Sequence, residues 1–197
     1  MNHFFIYYIL AFFIGSIPSG LWLTKAFYGF DIRKKGSGNI GSTNVGRFTS
    51  KQLALLVQIC DMLKGLIPVA FVMYVYGSGH VNSYRIAFIP VLGHCFSIFA
   101  GFKGGKGVNT SIGAYVLLNP ISTIIGIAVY FIIKRLTHYV SMGSMAMSAS
   151  WVISSVIIYS NPHQALLAFV LCIIIVLRHR ENITRLMKGV EPKTTNM

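Results

Sequence analysis

The sequence has little charge and very little acid. Only 11% of its 197 residues are charged, and four of them are acidic: Asp31, Asp61, Glu181 and Glu191. Because soluble domains carry about a quarter charged residues, this chain has too little charge for an ordinary soluble surface. With 54% hydrophobic residues and a mean hydropathy of +0.66, the sequence predicts an integral membrane protein.

Cysteine is also scarce. The three cysteines, Cys60, Cys95 and Cys172, are odd in number and lie scattered in apolar sequence. That pattern is typical of small buried hydrophobic residues and does not indicate disulfides or a metal site. We therefore expect no disulfide, no metal and no cofactor. The first apolar run has no basic segment before it, so we expect no cleaved signal peptide.

Most charged residues are basic: the sequence has 17 Lys and Arg and a formal net charge of +13. A basic balance can indicate nucleic-acid binding, but these residues lie in short clusters between apolar runs. Such clusters are typical of cytoplasmic loops in membrane proteins, and they suit anionic headgroups or an anionic substrate. We therefore expect a lipid bilayer as partner and no nucleic acid.

The apolar residues fall into six blocks, 4–27, 53–76, 85–99, 108–133, 141–159 and 163–177. If block 108–133 crossed once, Lys134, Arg135 and the basic tail would lie outside, against the positive-inside rule. The pair Asn119-Pro120 favours a helix end. If the chain turns there, all these basic residues lie on the inner side of the membrane. The sequence thus predicts an all-α membrane protein with seven transmembrane helices, two of them short legs of that hairpin. Its N-terminus is extracytoplasmic, its C-terminus is cytoplasmic, and residues 1–197 form one domain.

Two glycine-rich basic loops lie on the predicted inside face: the first loop, Lys35–Arg47, and the second loop, Phe102–Gly107. Glycine lets successive backbone N–H groups face one concavity, and such nests bind anions. Helices that begin just after each loop would aim further N–H groups at the anion, and Lys and Arg bind phosphate strongly. The loops therefore predict phosphate binding; a basic connector touching lipid phosphates is the alternative.

Two nucleotide-binding motifs are excluded. Gly36-x-Gly38-x-x-Gly41 has the spacing of a dinucleotide fingerprint, but no strand precedes it. The segment 101–107 is one residue shorter than a Walker A loop and has no Ser or Thr after Lys106. Neither segment predicts a nucleotide site.

Several polar residues lie in or beside the apolar blocks. Asp61 and Lys64 share a helix face, so they form either an internal ion pair or a functional site. His94, which leads to the second loop, is either a hydrogen-bonded spacer or functional. Ser141 and Ser144 begin the sixth segment, where each can cap the helix or donate to a substrate.

In these residues the sequence resembles the bacterial acyl-phosphate:glycerol-3-phosphate acyltransferase family, a group of membrane glycerol-3-phosphate acyltransferases. The matching motifs cover the chain nearly end to end: Gly15–Gly20 with Ser37–Arg47, Asp61-x-x-Lys64-Gly65, Gly93-His94 through Val108, and His179–Glu191. Two positions depart from the family's pattern. Ser97 stands where the family usually has proline, and Asn109 where it usually has alanine; these departures bear on substrate affinity more than on reaction type.

The resemblance implies transfer of a fatty acyl group from acyl-phosphate to the sn-1 hydroxyl of glycerol-3-phosphate, the first step of phospholipid synthesis. The products are lysophosphatidic acid and phosphate. It also implies a multi-pass protein of the bacterial cytoplasmic (inner) membrane, with a functional link to the enzyme that makes acyl-phosphate. Because this donor is already activated, catalysis needs mainly positioning and stabilisation of an oxyanion, and a donor phosphate oxygen can take the hydroxyl proton.

The resemblance also implies site residues. The catalytic candidates are Ser37, Arg47, Lys106, Ser144 and His179. The substrate-binding candidates are Lys35, Gly38, Asn39, Thr43, Asn44, Lys103, Gly104, Gly105, Gly107, Ser141 and Asn182. The supporting candidates are Asp61, Lys64, His94, Gly189 and Glu191. The loop residues would contact phosphate and the oxyanion, while His179 and Asn182 would close the site from the tail.

The histidines bear on the donor. Glycerolipid acyltransferases that use thioesters carry a histidine with an aspartate five positions on, as base and orienting carboxylate. None of the six histidines here is followed by an acid at that spacing, which favours acyl-phosphate over acyl-CoA or acyl carrier protein.

Two other classes of function remain open from the residues. A transporter or channel for an organic phosphate would use the same loops as a vestibule, and inverted repeats would favour it; we find none. A non-catalytic scaffold would leave the polar loops unexplained.

Overall fold

A computed structural model describes residues 3–194, and between these limits the chain is helical, with no strand. The prediction of an all-α protein is therefore confirmed. The chain divides into two compact units, Met1–Leu117 (unit 1) and Leu118–Met197 (unit 2), which are described separately below. The prediction of a single domain stays a prediction.

Unit 1 holds the first seven α-helices and two short 3-10 helices, at Ile32–Lys34 and Ile98–Ala100. The α-helices are α1 (His3–Ser16), α2 (Ser19–Tyr28), α3 (Ser42–Phe48), α4 (Lys51–Tyr76), α5 (Val81–Ala87), α6 (Ile89–Cys95) and α7 (Val108–Val116). The first apolar block is thus interrupted between Ser16 and Ser19. Pro18, which has no N–H for the helical ladder, lies in this break.

Helix α4 packs closely against α7 because each helix presents a glycine to the backbone of the other. A Cβ atom on Gly113 would lie 1.9 Å from the carbonyl oxygen of Met62, and one on Gly65 would lie 2.1 Å from that of Thr110. Small residues let helix backbones approach in this way, and such approaches stabilise helix pairs in membranes. This packing places the start of α7, and with it the end of the second loop, beside α4.

Unit 2 contains α8 (Pro120–Thr137), α9 (Val140–Ile158), α10 (Pro162–Arg178) and α11 (Arg180–Met187). Helices α8 and α10 each begin at a proline, which suits a first helical position because that N–H would lack a helical partner anyway. Helix α9 packs against both α8 and α10. Trp151 of α9 is fully buried, with its indole nitrogen beside Gly126 of α8.

Five helical stretches are long and apolar enough to cross a membrane: Phe4–Tyr28, Lys51–Tyr76, Val81–Ala100, Pro120–Thr137 and Val140–Ile158. The pair α10 and α11, bent by 56°, counts as a sixth. Large side chains such as Ile124, Phe131 and Ile157 are at least 60% exposed on these stretches, as lipid-facing residues would be.

The predicted helix break at Asn119-Pro120 is confirmed, because α7 ends at Val116 and α8 begins at Pro120. The prediction that both legs are short is wrong for the second leg. Helix α7 has 9 residues and α8 has 18. The second leg is longer because the helix continues through Lys134 and Arg135, whose charges favour a helix C-terminus.

Candidate active site

The first loop is folded around the side chain of Asn44, which is 2% exposed. Its Nδ2 donates to the backbone oxygens of Lys35 (3.1 Å) and Asn39 (2.9 Å), and its Oδ1 accepts from the backbone N–H of Ser37 (3.2 Å). The Oδ1 of Asn39 accepts from the N–H of Gly41 at 2.8 Å. Four predicted site residues are therefore brought together, and the amide of Asn44 serves the loop itself.

Arg33, just before the first loop, is an anchor that sequence reasoning missed. Its guanidinium lies 2.6 Å from Oδ2 of Asp31, and its Nη1 donates to the carbonyl of Ala100 at 3.1 Å. The hydrogen bond from Arg33 lowers the pKa of Asp31 below its usual value. The signal in the sequence was the Asp-x-Arg spacing beside the loop. Because Asp31 balances its charge, Arg33 joins the two loops and is a poor candidate for phosphate binding.

The second loop lies against the end of α6. The N–H of Gly105 donates to the carbonyl of His94 at 3.0 Å. A Cβ atom on Gly105 would lie 2.0 Å from Nε2 of His94, and one on Gly104 would lie 1.9 Å from the His94 carbonyl oxygen. Only glycine fits at these two positions. Lys103 is exposed and Lys106 is half-buried, and α7 begins directly after Gly107, as the sequence predicted for a helix following the loop.

A buried ionic cluster of Asp61, Lys64 and His94 lies beside the second loop. The Nζ of Lys64 is 2.9 Å from Oδ1 of Asp61, and Nδ1 of His94 is 3.7 Å from the same oxygen. Lys64 also donates to the carbonyl of Ile17, in the break between α1 and α2, at 2.7 Å. The side chains are at most 5% exposed. The shared helix face is thus confirmed, and the cluster joins α4 to α6 and to that break.

Ser97 and Asn109, the two residues that depart from the family's expected pattern, each make a hydrogen bond to another helix. The Oγ of Ser97 donates to the carbonyl of Ser16 at the end of α1. The Nδ2 of Asn109, at the start of α7, donates to Oγ of Ser42, at the start of α3, at 3.1 Å. Ser42 and Ser16 were not among the predicted site residues, because nothing in their local sequence indicates a distant partner.

In unit 2, three side chains converge on Glu191. Its Oε1 accepts from Oγ of Ser141 (2.8 Å) and Nδ2 of Asn182 (2.5 Å), and its Oε2 accepts from Nε of Arg185 (2.7 Å). Gly189, with a φ of +68°, turns the chain after α11 so that Glu191 can return to α11. Burial by itself would raise the pKa of Glu191, but these three hydrogen bonds together lower it below its usual value.

Ser144 and His179 are held by their own helices. The Oγ of Ser144 donates to the carbonyl of Val140 at 3.0 Å. Nδ1 of His179, which is 2% exposed, lies 2.8 Å from the carbonyl oxygen of Ile175. Because a carbonyl only accepts, this contact needs the proton on Nδ1, and Nε2 is then the acceptor nitrogen of the neutral ring.

The interpretation of Ser141 or Ser144 as a helix cap is wrong. Helix α9 begins at Val140, and its N-cap, Tyr139, makes no side-chain capping bond. Both serines therefore lie inside the helix. With Ser141 as the N-cap, α9 would begin at Met142, but it begins at Val140, and the Ser141 hydroxyl donates to Glu191.

The predicted site residues are thus divided between the two units. Unit 1 holds those of the two loops together with Asp61, Lys64 and His94, and the loops are joined by the contacts of Arg33 and Asn109. Unit 2 holds Ser141, Ser144, His179, Asn182, Gly189 and Glu191.

Comparisons with known proteins show the family of the chain. The family model described as Glycerol-3-phosphate acyltransferase matches residues 5–189. A glycerol-3-phosphate acyltransferase of Clostridium acetobutylicum is 38% identical over 189 residues, which cover 93% of this chain and 96% of the relative. One of Aliarcobacter butzleri is 40% identical over 205 residues, covering 98% and 97%.

Solved structures are similar over nearly the whole chain. The crystal structure of PlsY (YgiH), an integral membrane glycerol 3-phosphate acyltransferase, in its glycerol 3-phosphate form has a TM-score of 0.92 and 34% identity. The match covers 98% of this chain and 96% of that chain. Its lysophosphatidic acid form has a TM-score of 0.89 and 32% identity, covering 98% and 95%. The resemblance found in the motifs is confirmed, and the chain belongs to the glycerol-3-phosphate acyltransferase family.

Proposed function

We propose that this membrane enzyme transfers a fatty acyl group from acyl-phosphate to the sn-1 hydroxyl of glycerol-3-phosphate, giving lysophosphatidic acid and phosphate. The observation that carries the proposal is the pair of glycine-rich basic loops, joined to each other in unit 1. Both substrates carry a phosphate, so each loop holds the phosphate of one substrate.

The residues of unit 1 bind and orient the phosphates. Lys35, Arg47, Lys103 and Lys106 provide positive charge, which makes the strongest hydrogen bonds to phosphate. Ser37, Asn39 and Thr43 are further donors, and Gly38, Gly104, Gly105 and Gly107 let the loop backbone come close to the phosphates. Asn44 shapes the first loop and does not contact substrate, since its Nδ2 and Oδ1 both bind the loop backbone.

The chemical step needs no external reagent. The sn-1 oxygen attacks the acyl carbon, and the carbonyl oxygen becomes an oxyanion that Arg47 and Lys106 stabilise. The bond from the acyl carbon to the phosphate oxygen then breaks, and phosphate leaves with the hydroxyl proton on one of its oxygens. A mixed anhydride suits this route because its leaving group is itself the anion that the loops bind.

The residues of unit 2 serve the same reaction. Asn182 and Ser141 are positioned by Glu191, and Ser144 and His179 are held by contacts to their own helices. We expect each of these four side chains to contribute to turnover.

The donor is tested with purified protein in detergent and glycerol-3-phosphate. Palmitoyl-phosphate should yield lysophosphatidic acid and one phosphate per product, while palmitoyl-CoA and palmitoyl acyl carrier protein should yield neither. Comparable rates with a thioester donor would overturn the proposed donor. A lack of product from every donor, with phosphate uptake by proteoliposomes, would favour a transporter.

We infer further that the chain crosses a bacterial cytoplasmic membrane seven times, with its N-terminus outside and both glycine loops inside. The six long stretches and the short α7 supply seven segments, and this count keeps the Lys and Arg clusters on one side. Acyl-phosphate made in the cytoplasm then reaches the loops directly.

Labelling of single cysteines tests this topology in a background without Cys60, Cys95 and Cys172. Position 104 is unsuitable because it has no room for a side chain. We choose Lys103→Cys, Arg135→Cys and Val190→Cys, all at exposed positions, with Ser78→Cys as the outside control. An impermeant thiol reagent added to intact cells should label only position 78. Labelling at 135 would exclude the seven-segment topology.

A further inference from the structure

The starts of α3 and α7 are joined by a single side-chain hydrogen bond, here named the inter-loop bond. Asn109, the second residue of α7, donates from Nδ2 to Oγ of Ser42, the first residue of α3, over 3.1 Å. The two residues are 67 positions apart in the sequence. Ser42 lies directly after Gly41, the glycine N-cap of α3, and Asn109 lies two residues after Gly107, the glycine N-cap of α7.

A second contact joins the loops elsewhere. Arg33 precedes the first loop, Ala100 precedes the second, and Nη1 of Arg33 donates to the Ala100 carbonyl at 3.1 Å. Asp31 holds the same guanidinium in place through both of its oxygens. One contact alone would leave the loops free to pivot about it. Two contacts at different points restrict how far the loops can separate and pivot relative to each other.

We propose that Asn109 is a positioning residue, which holds the second loop at a set distance from the first through the hydroxyl of Ser42. The inference rests on the proposed function, in which each loop holds one phosphate. The acceptor hydroxyl must come within about 3–3.5 Å of the acyl carbon to react. The distance between the two bound phosphates therefore affects the chemical step, whereas each loop can bind its own substrate without the inter-loop bond.

Asn109 is placed to act on the loops and not on a substrate. Its amide nitrogen is directed at Ser42, and neither residue supplies charge. Asn109 is half-buried, and alanine is a good helix former. Asn109→Ala is therefore compatible with the fold. The expected effect is accordingly that of one hydrogen bond.

The test is steady-state kinetics of purified variants with palmitoyl-phosphate and glycerol-3-phosphate. Asn109→Ala should lower kcat about three- to tenfold, the effect of losing one neutral hydrogen bond, with both KM values unchanged. Ser42→Ala should cause the same loss. The double variant should lose no more than either single variant, because both changes remove the same bond. Ser42→Thr keeps the Oγ atom and should retain the wild-type rate.

Three kinetic results would overturn the inference: an unchanged kcat in Asn109→Ala, losses that multiply in the double variant, or a rise in one KM alone. The last result would make Asn109 a direct ligand of that substrate.

A second readout does not depend on turnover. Amide hydrogen exchange should become faster in both segments 36–46 and 102–107 of Asn109→Ala and of Ser42→Ala, and stay at the wild-type rate in Ser42→Thr. Unchanged exchange in segment 36–46 would count against the inter-loop bond. Because the wild-type protein is assayed first, an inactive wild type would refute the proposed function, while hydrogen exchange would still decide the role of Asn109.

Discussion

The ammonium group of Lys64 lies 2.9 Å from a carboxylate oxygen of Asp61 and 2.7 Å from the carbonyl oxygen of Ile17. Both charged side chains are at most 4% exposed. One ion pair therefore lies in the middle of α4, and Lys64 gives the Ile17 carbonyl a second donor beside the backbone N–H of Ser19. The neighbouring His94 extends this cluster to the second loop.

We predict that Asp61→Asn destabilises the protein by about 3–5 kcal/mol, because it leaves the charge of Lys64 buried without a counter-ion. The double variant Asp61→Asn with Lys64→Met should recover most of this loss. Thermal unfolding in detergent measures both. The control is Asp31→Asn, which breaks a partly exposed pair and should cost no more than about 1 kcal/mol. Equal losses for Asp31→Asn and Asp61→Asn would contradict the prediction.

The second prediction concerns the charge and hydroxyl of the first loop. Arg47→Ala should lower kcat/KM about ten- to a hundredfold, because a hydrogen bond to a charged group is worth about 1.5–3 kcal/mol. Ser37→Ala should also reduce turnover. Lys51→Ala removes one positive charge at the start of α4, and Thr49→Ala removes a hydroxyl that bonds only to Val45 of its own helix. If these two controls lost as much activity, the loop would be a connector.

The third prediction tests the fit of the second loop on α6. Gly105→Ala places a methyl group 2.0 Å from Nε2 of His94, so the loop or the His94 ring must move. A displacement of about 1 Å at a phosphate site can cost up to about a hundredfold in rate. Gly79→Ala is the matched control, since a methyl group there meets nothing within 4 Å. Full activity of Gly105→Ala would show that the loop position does not matter for the reaction.

The fourth prediction concerns pH and Glu191. Because the pKa of Glu191 is lowered in the folded protein, its ionised form stabilises the fold. That stabilisation is fully present above the unfolded-state pKa of about 4.3 and is lost as pH falls through the lower folded-state pKa. Glu191→Gln should therefore be less stable than wild type at pH 7, and the difference should shrink below about pH 4. Unfolding midpoints of the two proteins between pH 7 and pH 3 measure this. A difference independent of pH would assign the effect to packing.

Most candidate site residues could be proposed from the sequence because they lie in short segments of characteristic composition. The clustering of Gly with Lys, Arg, Ser and Asn in 35–47 and 102–107 indicates anion binding without any knowledge of the fold, since those groups act through local backbone geometry. The pairing of Asp61 with Lys64 follows from helical spacing, and it was confirmed. The break before Pro120 follows from the same kind of local rule.

Other features depended on neighbours that are distant in sequence. Asn44 looks like a substrate ligand in the sequence, but its hydrogen bonds run to the loop backbone. Ser141 looks like a cap, yet its partner Glu191 is 50 residues away. The length of α8 was also missed, because the distribution of Lys and Arg indicates on which side of the membrane a segment ends. It does not indicate how many residues of the segment are helical.

The amino-acid sequence by itself determined that this is a helical membrane protein, which family it belongs to, and which two loops are candidates for anion binding. Hydropathy, charge distribution and the local spacing of residues are properties of short segments, so the sequence alone shows them. Only the tertiary structure decided which loop contacts which, through Arg33 to Ala100 and Asn109 to Ser42, and which glycines are required because another backbone lies against them. Those contacts join residues about seventy positions apart, and whether they form depends on how the helices pack.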